Sequence, residues 1–180
     1  MKELKKIQEY KGVKLTETTT QVIIDASPHK AWEALSQYGN VSSFHAGIDL
    51  SVHGKNNSDE ASLGVERTCT IKDGKREIIL VERIIEYEEG QFYRYEVFEW
   101  KNFPLKVMFF AFAIKSDKDK NTILSITQNY RLKPGFITGI MKGKIKKQQR
   151  EILMGYKNYI ETGEKRVPIA TLEKLNYQFS

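Results

Sequence analysis

One cysteine, Cys69, occurs in 180 residues. A lone thiol excludes an internal disulfide framework and fits a reducing cytosol. Proline is scarce at four residues, and tryptophan at two. No stretch approaches the ~18 consecutive apolar residues of a membrane-spanning helix. The start, Met1-Lys2-Glu3-Leu4-Lys5-Lys6, has charges but no apolar core behind them, so no secretory leader is expected. His29, His45 and His53 are the only histidines, without ligand spacing, and neither His-x-x-x-His nor Cys-x-x-Cys occurs. No metal and no cofactor are therefore expected. Ser-His-Asp order is absent as a recognisable motif, and Cys69 has no basic sequence neighbour to activate it.

What the chain does have is ordinary globular composition, 40% hydrophobic and 29% charged, with nine Tyr and nine Phe. Its length suits one domain with a substantial core. The net charge of +6 is an excess of 29 cations over 23 anions. That excess is spread along the chain, so it reads as a solvated surface and no nucleic-acid partner is expected.

Residues 1–15 are polar and read as an N-terminal arm. A Thr, Val and Ile-rich strand covers 16–25. Ser27 then suits a helix N-cap and Pro28 the first helical position, predicting a helix over 28–38 with Trp32, Leu35 and Tyr38 on one face. A second short helix over 41–46 turns Phe44 inward. Strands follow at 48–53, 63–71, 78–87, 92–100, 105–114 and 122–132, separated by turn signals such as Lys72-Asp73-Gly74-Lys75. From Pro134 to about Glu161 the period becomes helical, with Ile137, Met141, Ile145, Ile152, Gly155, Tyr156 and Tyr159 on one side. Residues 166–180 form a tail. Hairpins with helices set to one side argue an α+β fold.

Ile24-Asp25-Ala26-Ser27-Pro28, Ala31-Trp32, Leu63-Gly64, Arg67, Val81-Glu82-Arg83-Ile84, Tyr93-Arg94-Tyr95-Glu96-Val97 and Gly155-Tyr156-Lys157-Asn158-Tyr159-Ile160-Glu161 occur in that order. The series, over residues 16–165, resembles the SRPBCC/START-like superfamily, which includes polyketide cyclase-like proteins and the major birch pollen allergen. The resemblance implies a helix-grip fold: a seven-stranded curved antiparallel sheet, two short helices and a long C-terminal helix enclosing a cavity. The segment 54–64 lacks the glycine-rich loop of the plant allergens, which argues against close kinship with that branch.

Such a cavity would be mostly apolar, with a few orienting polar groups. Gln148 stands on the apolar stripe of the long helix between Ile145 and Ile152, where a buried amide needs a backbone, water or ligand partner. Arg67 and Cys69 share inward strand parity. A guanidinium there would hold a ligand carboxylate or phosphate, meet an internal Glu, or reach out to the mouth. His45, beside Phe44, reads either as an acid or base near neutral pH or as an incidental surface residue. Tyr93 and Tyr95 face the same way, as do Ile126 and Tyr130; Met141 completes the lining set.

Gly135, Gly139 and Gly143 repeat every four residues, which either lets that end of the helix open or marks close packing. Met108, Phe110, Phe112 and Ile114 alternate with Val107, Phe109, Ala111 and Ala113, all apolar. A strand apolar on both faces predicts a homodimer contact, a membrane-facing patch, or cover by the arm or tail. Binding or transport of a small hydrophobic molecule (a lipid, polyketide or aromatic compound) is the leading reading. A polyketide cyclase or aromatase is the first alternative, though no convincing acid–base pair is present. The second is a module for anionic membrane surfaces or protein partners, using Lys142, Lys144, Lys146, Lys147 and Arg150.

Overall fold

The computed structural model describes residues 4–54, 58–117, 120–175 and 177–179. Parts of two sequence-predicted loops, at Lys55-Asn56-Asn57 and Lys118-Asp119, lie outside the described residues. After a small hairpin, β1 (Glu9–Tyr10) and β2 (Val13–Lys14), the chain enters the first long strand, β3 (Thr16–Ile24). The helix α1 (Pro28–Leu35) follows, with Ser27 Oγ accepting from Lys30 N at 3.2 Å. It is one turn shorter than the sequence predicts. The second predicted helix is a single 3-10 turn, Val41–Ser43.

Six strands come next: β4 (Leu50–His53), β5 (Glu66–Asp73), β6 (Arg76–Glu88), β7 (Phe92–Lys101), β8 (Leu105–Ser116) and β9 (Thr122–Leu132). With β3 they form one seven-stranded antiparallel sheet in the order β3-β9-β8-β7-β6-β5-β4. Closing the first strand on the last puts β3 beside β9, with Thr16 opposite Tyr130. Register shifts between Val81 and Glu82, and between Ile84 and Glu86, interrupt the β6–β7 ladder. Such bulges bend a strand and deepen the twist, which lets the sheet wrap a helix. Gly74 (φ 63°) and Gly90 (φ 74°) turn two of the hairpins in the left-handed region.

The predicted long helix is divided. A turn, α2 (Ile137–Ile140), precedes α3 (Lys142–Thr162), which ends on Gly163 at φ 78°. The helix α3 lies across the concave face of the sheet, and the core fills the space between them. Among the described residues no helix is long and apolar enough to cross a membrane.

The outer face of β8 has a cover. Phe109 and Ala111 point away from the concave side and are still buried. The arm lies over them: the Tyr10 ring meets Phe109 edge-on at 5.0 Å, and Asn129 Nδ2 donates to Ile7 O at 3.0 Å. Buried Arg94 donates to Lys5 O and pairs with Glu86. The doubly apolar strand over 108–114 therefore needs no second copy of the chain, and the ground for a dimer or membrane contact at this strand is removed. At the other end, α4 (Ile169–Leu172) is followed by a backbone bridge from Phe179 to Val22. The tail thus covers part of the free edge of β3.

Candidate functional site

The concave face of β5–β8 and the N-terminal half of α3 do not close on each other. They leave a cavity of about 390 Å³, within the size range of small-molecule sites. Its walls are built by strand parity. Cys69 and Ile71 on β5, Ile78 and Leu80 on β6, and Met108 and Phe110 on β8 point inward. Met141, Ile145 and Ile152 overhang from the helix.

The inner end is polar. Arg67 and Glu82 face each other across the β5–β6 ladder. Arg67 Nε donates to Glu82 Oε2 at 2.5 Å, and Nη1 donates to Tyr38 O at 2.6 Å. The guanidinium lies 4.0 Å from the Tyr38 ring centre and 5.0 Å from that of Tyr95. Both charged side chains are almost wholly buried, Arg67 at 3% and Glu82 at 4% exposure. Burial pushes the Glu82 carboxyl above its ordinary value, and Arg67 pulls against that. Burial also opposes the charge on Arg67, but Glu82 together with Cys69, Tyr38 and Tyr95 outweighs it and keeps the guanidinium charged. Of the three outcomes open to Arg67 in the sequence, the structure shows the internal Glu.

Burial, with the Glu82 carboxylate nearby, pushes the Cys69 thiol up to about 12. The same burial holds the Tyr38 and Tyr95 hydroxyls well above 10. At neutral pH this end therefore offers neither thiolate nor phenolate.

His45 closes one side. Gly47 N donates to its Nδ1 at 2.8 Å, which leaves the proton of the neutral ring on Nε2. That Nε2 is buried and has no hydrogen-bond partner among the described residues. Burial lowers the imidazole pKa to about 4, and the positive charges of Arg67 and Arg166 act in the same direction. Gly47 makes room for the ring. A Cβ on Gly47 would come within 2.7 Å of it, whereas one on Gly155 would sit in ordinary contact, 3.9 Å from the ring.

His45, Arg67, Cys69, Tyr95, Met141, Ile145, Gln148 and Ile152 meet at this cavity. Four other residues singled out in the sequence do not. Phe44 packs against Tyr156 and Tyr159 at 4.9 and 5.0 Å. Tyr93 sits behind Tyr95, edge-on to Tyr38 at 5.6 Å. Ile126 and Tyr130 are buried in β9, outside the lining.

The buried glutamine of the long helix is Gln149, not Gln148. Its Nε2 donates to Thr18 O at 3.0 Å and Thr18 Oγ1 at 3.1 Å, and its Oε1 accepts from Thr20 at 2.8 Å. Adjacent helical positions differ by about 100°, so the apolar stripe divides. Gln149 and Leu153 are buried on one flank, with Gln149 bonded to β3, while Gln148 and Ile152 hang over the cavity. Gln149→Leu is expected to cost about 1–3 kcal/mol by stranding the threonine groups. Gln148→Leu, on the half-buried flank, is expected to stay within about 0.5 kcal/mol. Urea unfolding of both variants checks the contrast.

The mouth lies between the β5–β6 turn and α3. Lys144 reaches Asp73 at 3.6 Å, and Lys147 reaches Glu151 and Glu173, each at 3.6 Å. An added Cβ at Gly139 or Gly143 would meet nothing, so close packing does not explain those glycines; Gly135 lies against the Arg131 guanidinium. Tyr38 was read from the sequence only as a packing residue of the first helix, and Glu82 was not singled out as the internal Glu. The signal for Glu82 was its parity with inward Ile78, Leu80 and Ile84.

Solved structures share this architecture at low identity. XoxI of Bacillus cereus is 14% identical, with 80% of this chain and 94% of that one covered and a TM-score of 0.65. Ginseng major latex-like protein 151 from Panax ginseng is 14% identical over 86% of this chain and 99% of its own, with a TM-score of 0.63. A protein of Nitrosospira multiformis is 11% identical, at 82% and 98% coverage and a TM-score of 0.64. At such identities the likeness is one of fold, the helix-grip arrangement. No curated protein matches the sequence. A family profile described as "Polyketide cyclase / dehydrase and lipid transport" matches residues 16–161. Since that match takes in the whole sheet and nearly all of the grip helix, the chain belongs to this polyketide cyclase-like family of the SRPBCC superfamily.

Proposed function

We propose that the protein binds a small, mainly apolar molecule in the cavity, with one acceptor oxygen turned toward His45. The observation that supports this reading is an apolar-walled space of about 390 Å³ whose lining includes His45, the buried Nε2–H of which has no partner among the described residues. Apolar surface leaving water supplies the affinity, at roughly 25 cal/mol per Å². The hydrogen bond to His45 supplies orientation. An uncharged carbonyl suits the site better than a carboxylate, because Arg67 is already neutralised by Glu82. A cyclase needs a group that exchanges protons near neutrality. Cys69 held at about 12 and His45 at about 4 favour binding over that alternative.

Isothermal titration with 2-acetylnaphthalene and with 2-ethylnaphthalene, its oxygen-free counterpart, tests the reading. Both are expected to bind, the ketone about five- to tenfold tighter through one hydrogen bond. Leu80→Trp, which fills the cavity, is expected to abolish both. His45→Phe is expected to remove only the preference for the ketone. Failure of both compounds to bind, or unchanged binding in the Leu80→Trp protein, would overturn the proposal.

A further inference from the structure

We propose that the turn carrying Phe136 and Ile140 is a docking tip for an anionic phospholipid bilayer, placed beside the cavity mouth. These are the most exposed large apolar side chains of the described residues, at 71% and 73%. Four positions apart, they share one face of the helical turn. The opposite face is fixed to the sheet, since Thr138 is buried and its Oγ1 accepts from Leu132 N at 3.0 Å. The apolar pair therefore projects from a rigid base.

The segment of chain that carries the tip has charge of one sign. Residues 132–150 contain no Asp or Glu. Lys144 and Lys147 are engaged with acids at the mouth. Lys133, Lys142 and Lys146 are exposed and make no ion pair among the described residues. Two protruding apolar groups flanked in sequence by exposed ammonium groups complement a soft anionic surface: the apolar groups enter the acyl boundary and the lysines meet phosphates.

Position gives the contact a use. Met141, which follows Ile140, lines the cavity, as do Lys144 and Ile145 on the next turn. A tip seated on a bilayer brings the mouth against it, so an apolar ligand passes between lipid and cavity without crossing water. That last step rests on the cavity-binding reading; the docking itself does not.

Co-sedimentation with vesicles of phosphatidylcholine alone, and of phosphatidylcholine mixed with phosphatidylglycerol, tests the tip. Wild-type protein is expected to sediment with the mixed vesicles at low salt and to remain free of the neutral ones. Phe136→Ser with Ile140→Ser is expected to lower partitioning about tenfold or more. Lys133→Gln with Lys142→Gln and Lys146→Gln is expected to lower it roughly a hundredfold. All of these side chains are exposed, so thermal melting and 2-acetylnaphthalene binding in solution should not change. Wild-type protein that ignores both vesicle types overturns the docking proposal, whether or not the naphthalene binds. So does a serine pair that sediments like wild type, since that is bare attraction to a polyanion, nucleic acid included. If the wild type sediments as expected but binds no naphthalene, the docking stands and the cavity reading falls.

Discussion

Arg67→Met is expected to lower the unfolding free energy by about 3–5 kcal/mol at neutral pH, the usual consequence of leaving one member of a buried ion pair alone. Methionine nearly fills the volume of the guanidinium stem, so packing loss is a small part of the effect. The larger part is Glu82, left 4% exposed with its charge uncompensated. Cys69 Sγ, at 3.8 Å, remains as a weak donor to it. The Tyr38 carbonyl loses its donor as well. Two companion variants separate charge from shape. Arg67→Met with Glu82→Leu is expected to recover most of the loss, because a matched apolar pair strands no charge. Arg67→Lys is expected to recover little, since an ammonium cannot reach Glu82 and Tyr38 in the same fork. The single variant should also become relatively more stable in acid. Without Arg67 the already raised Glu82 pKa rises further, and a protonated carboxyl is tolerated in the folded state. Urea unfolding at several pH values reads all of this. A loss below about 1 kcal/mol for Arg67→Met would show that the pair does not hold this end of the cavity.

The container was legible because its signals are local and repeated. Ser27-Pro28 marks one helix start through capping chemistry, and strand parity at 63–71 turns Arg67 and Cys69 inward without any knowledge of the partner strand. The contents were harder to read. Glu82 lies on the inward parity of its strand, but a glutamate is ordinarily placed in water. Only the pairing register shows it opposite Arg67. The slip from Gln149 to Gln148 has a different origin. Apolar periodicity fixes the centre of a stripe only to within a residue, and here the stripe serves two surfaces, β3 on one flank and the cavity on the other. The break at Met141 also detaches the first turn from the phase of the rest. The arm stood as only one of several possible covers for β8, for a third reason. Its cover of β8 rests largely on Tyr10 and on backbone carbonyls at Lys5 and Ile7, and a polar segment gives no apolar period to announce that role.

A second large effect is expected from acid. His45 is buried and neutral, and its pKa falls to about 4 from an ordinary 6.5. In the unfolded chain it takes up a proton near 6.5, while in the folded chain it refuses one until about 4. Below pH 6.5 the unfolded state therefore binds more protons, and stability must fall as pH falls. The contribution is fully present above 6.5, declines through the window between the two values, and amounts to about 3 kcal/mol at 1.36 kcal/mol per pH unit. Glu82 acts in the opposite direction. Its raised folded pKa makes the folded state the better proton binder, so its stabilising contribution shrinks as pH rises above the ordinary carboxylate range. A plain stability–pH curve mixes the two. His45→Asn separates them, because the shorter amide can still accept from Gly47 N but has no proton to refuse. The difference between wild-type and His45→Asn unfolding free energies is expected to be flat above pH 6.5 and to change by about 3 kcal/mol, against the wild type, between 6.5 and 4. A flat difference throughout would mean that the imidazole titrates alike in both states and that water reaches Nε2. A bound ketone adds a check. Nε2–H donates to the ketone from the neutral ring and more strongly from the imidazolium, so the preference for 2-acetylnaphthalene over 2-ethylnaphthalene should not fall as pH drops toward 4, while loss of the fold weakens both alike.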